Sequence, residues 1–229
     1  MSQNTSTKDF RTKAYVLRRT NYGEADRILN LITPLGKISA IAKGVRKEKS
    51  KLAGGVEMFC LIDVNIYQGK NDFGLITSAK MLNSYFNLLI DSPRLELASL
   101  ILKKVSLAAE NSNSPDFFEI VNQTIPALNS QVNLELVEAW FWFNLTRACG
   151  EEANLYRDTT GAKLDQDTQY VWDVQEAALH AQPGGNIGAN EIKIMRLMLT
   201  SPLSVLTRIK NISAMLPSVL YIAKAVSKN

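Results

Sequence analysis

The chain has 229 residues, of which 46% are apolar and 21% charged; this balance excludes a solvating disordered chain and allows one large domain or two small ones. No apolar run approaches the ~20 residues that a membrane-spanning helix needs, and the richest, AWFWFNL at 139–145, is far shorter. The net charge of +4 is unevenly spread: residues 1–80 carry +7 and residues 81–229 carry −3, a layout expected of a polyanion-binding module joined to a domain with another task.

In chain order, MSQNTSTKDF lacks the hydrophobic core of a signal peptide, so a cytoplasmic location is expected, to which the family resemblance given below adds association with the nucleoid. From Lys13 to Lys80 the pattern has period two. KAYVLRR (13–19), RILNLIT (27–33), KISAIAKG (37–44), EMFCLIDVNIYQG (57–69) and DFGLITSAK (72–80) read as five strands, with turns at Pro34–Gly36 and Gly69–Asp72. The connections are too short for crossover helices. An antiparallel sheet is therefore expected, closed into a five-stranded OB barrel that leaves no exposed edge.

Beyond Met81 the period becomes helical. LELASLILKKVSLAAE (95–110) follows Ser92-Pro93, read as cap and first helical position, and PDFFEIVNQTIPALNS (115–130) follows Ser114. NLELVEAWFWFNLTRACG (133–150) is an aromatic-rich helix ending at Gly150. An irregular polar stretch at 151–173 precedes helical segments near 174–181, 189–199 and 212–227, the last kinked at Pro217. The overall expectation is α+β and multi-domain: the barrel over 1–80, then an all-α helical domain over 81–229 with a shortened irregular insertion at about 151–185.

Little in the chain suggests catalysis. His180, the single histidine, sits before the loop PGGNIGAN and reads as the end of a helix, and neither Cys60 nor Cys149 stands in a nucleophile motif. Asp158, Asp165 and Asp167 do not match a calcium loop, and Cys149 lacks the second thiol of a zinc ribbon. The expectation is no enzyme, no cofactor and no metal.

The concentration of cations is the feature that asks for a function. Arg18, Arg19, Arg27, Lys37, Lys43, Arg46, Lys47, Lys49 and Lys51 put nine positive charges in 34 positions, five of them within AKGVRKEKSKLAGG. On a barrel, such loops and strand ends can line a groove that tracks a phosphate backbone; a single lysine reads as a solvated surface residue, and the cluster taken together reads as nucleic-acid binding. Tyr15, Tyr22, Phe59, Tyr67 and Phe73 are few for base stacking, so backbone contact is expected, with Tyr22 the one least suited to a core. Gly44, Gly54 and Gly55 read as pivots of a flexible gripping loop, and Glu24 and Asp26 as groups that position cations or cap a turn.

Leu17-Arg18-Arg19, Tyr22 to Arg27, Gly36-Lys37, Ala42 to Lys47 and Ser50 to Gly54 occur in order and at spacings that strongly resemble the N-terminal domain of the bacterial RecO family of recombinational repair mediators. The resemblance covers about the first third of the chain. It implies an OB barrel followed by a helical domain, binding of single- and double-stranded DNA, annealing of complementary strands, and partnership with RecR and with the C-terminal tail of single-strand-binding protein in loading RecA. Many members carry a four-cysteine zinc module. Here Cys149 stands near its first thiol, Glu152 replaces the second and the later pair is missing, so a zinc-free member is expected. An acidic tail with an apolar end needs a hydrophobic groove rimmed by cations, for which Arg147, Lys193, Arg196, Arg208 and Lys210 are the candidates. One or two of Trp140, Phe141, Trp142 and Phe143 are candidate surface anchors, and burial between helices is the expectation for most of them. The rival reading is a non-catalytic adaptor whose basic barrel binds an acidic protein.

Overall fold

A computed structural model describes residues 8–69, 73–112 and 114–228. The polar N-terminal residues 1–7 and positions 70–72 of the expected turn after the fourth strand lie outside the described residues. The chain forms two compact units, Met1–Ile125 and Pro126–Asn229. The first unit thus runs past the expected line at 80/81.

Five strands build the first unit: β1 (Lys8–Tyr22), β2 (Asp26–Thr33), β3 (Gly36–Ala42), β4 (Cys60–Gln68) and β5 (Gly74–Ser84). They close in the order β1-β2-β3-β5-β4. β1 is long enough to pair with β2 through its second half and with β4 through its first. One expectation needs correction: β3 and β5 pair in parallel, through Ala40–Gly74 and Ile41–Leu75. Closing five strands with this connectivity brings the third and fifth side by side in the same direction, and this seam is short because both strands begin or end there.

Alternation fills the interior. Ala14 and Val16, Leu29 and Leu31, Ala40 and Ala42, Ile62, Val64 and Ile66, and Ile76 form one buried cluster, each large side chain contributing about 1.5–3 kcal/mol by leaving water. Both faces of β1 are buried around its centre. Tyr15 points away from the barrel interior; its hydroxyl donates to Asn122 Oδ1 (3.1 Å) and its ring lies 5.8 Å from that of Phe118, so burial pushes its phenol well above the ordinary range. Two helices complete the unit, α1 (Ser92–Asn111) and the first part of α2 (Asp116–Asn129). The cap of α1 is Asp91, not Ser92: its side chain accepts the Arg94 N–H.

The second unit contains α3 (Leu134–Ala148), α4 (Ala189–Thr200), α5 (Leu203–Leu206) and α6 (Leu216–Val226). Trp140, Phe141, Trp142 and Phe143 are all buried, which removes them as surface anchors. Buried Asn144 holds the interior by donating to Trp140 O (2.8 Å) and Met198 O (2.9 Å), while Trp140 Nε1 donates to Ser201 O. Gly150 takes φ +89°, the left-handed value that ends a helix. Pro217 lies in the first turn of α6, where its missing N–H has no helical partner to lose, so no kink arises.

The expected helix at 174–181 is absent, and the region expected to be irregular is a small sheet. β6 (Asn154–Asp158), β7 (Tyr170–Asp173) and β8 (Ala178–Ala181) pair in the order β6-β8-β7. The Asp173 side chain accepts the N–H groups of Gln175 and Glu176, and Ala177 adopts φ +48°. This Asx turn folds β8 back on β7 before a helix can start. The second unit is therefore mostly helical with an inserted sheet. His180 sits exposed on β8, its Nδ1 3.0 Å from Thr159 Oγ1, rather than at a helix end. No described helix is long and apolar enough to cross a membrane.

Candidate nucleic-acid interface

The segment after β3 is anchored, not freely flexible. The Gly44 N–H donates to Asp26 Oδ1 (2.7 Å), the Arg46 N–H to Ala25 O (2.9 Å), and the Arg46 guanidinium to Gly23 O (3.3 Å). Those acceptors form the β1–β2 turn, so the cationic segment is tied beside it. Asp26 thus positions the loop, as read from the sequence. Internal turns follow, with Lys47 N–H to Gly44 O and Ser50 N–H to Lys47 O, while Val45 and Val56 plug into the barrel core.

The three glycines differ in role. Gly44, at φ +62°, makes the turn out of β3. Gly54 has open space around it. Gly55 is no pivot: it is buried, and a Cβ there would sit 2.5 Å from Ala79 O.

This anchoring leaves Lys43, Arg46, Lys47, Lys49 and Lys51 exposed on one short loop. Arg18 is exposed on the outer face of β1, paired with Asn30. Arg19 pairs with Glu57, and Arg27 donates to Asn21 Oδ1; both lie near the loop's end of the barrel. Lys37 lies apart from the loop, at the opposite end of β3. Its Nζ is bonded to Ser106 O (3.3 Å) and Glu110 Oε1 (3.1 Å) of α1, and its side chain is only 15% exposed.

A second group of cations went unread in the sequence because it is assembled only by register. Lys13 and Lys80 are the cross-strand partners of Asp63, on β1 and β5, and Arg11 Nε donates to both Asp63 oxygens at 2.8 Å. The Arg11 hydrogen bonds hold the Asp63 carboxyl below the ordinary carboxylate range; desolvation opposes them, and the charges of Arg11, Lys80 and Lys13 reinforce them. A depressed folded value means that the stabilisation is complete above the unfolded value near ~3.9 and is lost as pH falls through the folded one. Arg11→Ala should move the Asp63 carboxyl midpoint, followed by carbon NMR, back toward the ordinary value. An unmoved midpoint would assign the shift to the lysines.

In the second unit, Arg147 donates to Leu199 O, and Arg196 donates to Leu155 O (2.9 and 2.6 Å) while stacking over Tyr156 at 4.6 Å. Both secure the fold locally. Lys193 is exposed on α4. Arg208 and Lys210 are exposed beside a cavity of about 290 Å³ lined by Val132, Leu136, Thr207, Ile209, Asn211 and Ile212, among others. Of the five candidates, these two alternate along the chain with residues that line this cavity, whose wall mixes Val132, Leu136, Ile209 and Ile212 with the polar Asn133, Thr207, Asn211 and Ser213.

Asp158 and Asp165 accept backbone N–H groups in turns, and Cys149 is an exposed thiol. Among the described residues no group of three or more His, Cys, Asp and Glu side chains is placed to hold a metal ion. With two cysteines in the whole chain, the donor set does not fit a four-thiolate zinc site.

The closed strand order, with its cationic loop tied to the β1–β2 turn, defines the class: an OB-fold barrel protein. The profile of the family described as "Recombination protein O N terminal" matches residues 7–85. The chain is 31% identical over 217 residues to the DNA repair protein RecO of Dehalococcoides mccartyi strain CBDB1, covering 90% of this chain and 84% of that one. It is 29% identical over 204 residues to the RecO of Roseiflexus sp. strain RS-1, covering 86% and 72%. The chain belongs to the RecO family of DNA repair proteins.

Proposed function

We propose that this protein is a recombinational repair mediator that grips the DNA backbone with its barrel, anneals complementary strands, and acts with RecR to load RecA onto DNA coated by single-strand-binding protein. The observation that carries the reading is the anchored loop with five exposed cations, Lys43, Arg46, Lys47, Lys49 and Lys51, beside the exposed Arg18. A strand held by its phosphates keeps its base edges free, which annealing requires. The cavity near Arg208 and Lys210 suits the acidic, apolar-ended tail of single-strand-binding protein.

The direct test is fluorescence anisotropy of a ~30-nucleotide single strand titrated at several salt concentrations. Five neutralised phosphates give a log–log salt slope of about −3.5. Absence of binding at low salt would sink the reading and favour an adaptor whose barrel meets an acidic protein. Annealing of labelled complementary strands, with and without RecR, tests the remaining steps.

A further inference from the structure

Between β5 and α1 the chain makes a short 3₁₀ turn, Phe86–Ile90, whose three-residue period sets Phe86 and Leu89 on one side. Leu88 is fully buried, where the turn packs on α1. Phe86, Leu89 and Ile90 face water, Ile90 at 88% exposure, and Leu82 near the end of β5 is exposed as well. Single exposed apolar residues are ordinary, and a run of them in one turn is not. Nor is the turn slack. The Tyr85 N–H donates to Phe59 O (3.0 Å), the Leu88 N–H to Tyr85 O (3.3 Å) and the Asp91 N–H to Leu88 O (3.3 Å), and Asp91 then caps α1. A segment held in shape while it shows apolar side chains to water is preformed for contact.

The neighbouring charge says what covers it. Lys13 and Lys80 flank Asp63 across the ladders, and Arg11 bonds the same carboxylate. Three cations and one acid leave a net +2, with the cations outermost: the Asp63 side chain is 13% exposed and that of Arg11 72%. Tyr15, two residues on from Lys13 and on the same face of β1, stacks on Tyr85 with ring centroids 6.4 Å apart. Tyr85 opens the apolar turn, so the cations and the turn border one another. The acids at this border are engaged: Asp91 pairs with Arg94 (3.0 Å), and Glu119 accepts from Asn122 and Gln123 (3.3 and 2.9 Å). A second copy of this chain docked symmetrically would set two groups of like charge face to face. Nucleic acid stacks on flat rings, and the turn offers one ring among aliphatic side chains. A protein segment with both acidic and apolar side chains satisfies both halves.

We infer that the turn Phe86–Ile90, with Arg11, Lys13 and Lys80, is a docking surface for a short acidic, apolar segment of a partner protein. The inference goes beyond the DNA reading and does not depend on it. The cationic loop is tied to the turn at the far end of β1, whereas this surface lies where the first half of β1 meets β4, so the two tasks use different residues. It is also distinct from the cavity beside Arg208 and Lys210, whose lining belongs to the second unit.

The test is fluorescence anisotropy of a labelled peptide of about ten residues that alternates Asp with Leu, Ile and Phe. One control peptide has Lys for each Asp, and another has Ser for each apolar residue. Wild type should bind the first peptide and hold each control about tenfold more weakly or worse. Leu89→Ser/Ile90→Ser and, separately, Lys13→Gln/Lys80→Gln should each lower affinity for it about tenfold. All four side chains are exposed, so the melting temperature should hold. Ile90→Trp reads the contact directly: Trp140, Trp142 and Trp172 are buried, and the new exposed indole should shift its emission to the blue when the peptide binds. No binding by wild type, or an unshifted emission, would overturn the inference. So would a loss that follows Arg208→Glu/Lys210→Glu and not Leu89→Ser/Ile90→Ser. Concentration-dependent dimers abolished by Leu89→Ser/Ile90→Ser would assign the surface to a second copy, and an equal loss of homothymidine binding would assign it to nucleic acid; either overturns it. Wild type that binds the peptide and no strand would sink the DNA reading alone.

Discussion

Reversing Arg46, Lys47, Lys49 and Lys51 together to Glu should lower affinity for single-stranded DNA by about a hundredfold or more, since each former phosphate contact becomes a like-charge repulsion. The salt slope should flatten from about −3.5 toward −0.7, the value left by one neutralised phosphate. Stability should hardly change. All four side chains are exposed; the Arg46 guanidinium bond to Gly23 O is lost, but the backbone bonds from Arg46 to Ala25, Lys47 to Gly44 and Ser50 to Lys47 survive substitution and keep the loop in shape. Surface changes of this kind stay within about 0.5 kcal/mol each. The substitutions also take the net charge from +4 to −4, so a control must separate a local grip from bulk charge. Reversing Lys103, Lys163, Lys193 and Lys228, all exposed and outside the barrel, changes the net charge equally. If both variants lose the same affinity, the loop has no special role. If only the first does, the loop is the grip.

Gly55→Ala should destabilise the protein by about 3 kcal/mol, at the upper end of the usual overpacking cost, and lower its melting temperature by roughly 6–12 °C. The added Cβ would stand 2.5 Å from Ala79 O, 2.8 Å from its carbonyl carbon and 2.9 Å from its Cβ. No rotamer relieves a clash with backbone. Ala79 is itself held in the β4–β5 ladder opposite Val64, so either the barrel seam or the end of the cationic loop must shift. Gly54→Ala is the paired measurement. That position has no neighbour within 4 Å, and the substitution should be neutral or stabilise by about 0.4–1 kcal/mol through the unfolded chain. Similar melting shifts for the two variants would refute the close-approach argument. Because Gly55 ends the segment that carries the five cations, Gly55→Ala should also weaken DNA binding at temperatures where the protein is still folded.

Strands and helices were largely legible because their periods are local properties. Alternation marks KISAIAKG as a strand, and in the barrel its Ala40 and Ala42 are buried in the core while Ser39 and Ile41 are half-buried on the other face. The helix at 174–181 was misread because its alanines and leucine carry ordinary helical propensity. What decides that segment is the Asp173 side chain closing on two backbone amides, together with the β8–β7 ladder. Among the cations, type and clustering were visible, yet an arginine bound to a carbonyl and an arginine facing water have the same one-letter code. Arg147 and Arg196 belong to the first kind and Arg208 to the second.

Composition and period place a basic strand-rich part ahead of a part read as wholly helical, in which the β6–β8 sheet went unseen, and they concentrate the positive charge after the third strand. Composition and period follow from residues near one another along the chain, and folding does not alter them. Only the tertiary structure decided that Lys37 joins α1, that Gly55 is a point of close approach, and that Arg11, Lys13 and Lys80 gather on Asp63. Each of these depends on strand register and barrel closure, which bring together residues far apart in sequence. A shift of one residue in any ladder would send these cations inward and the core outward.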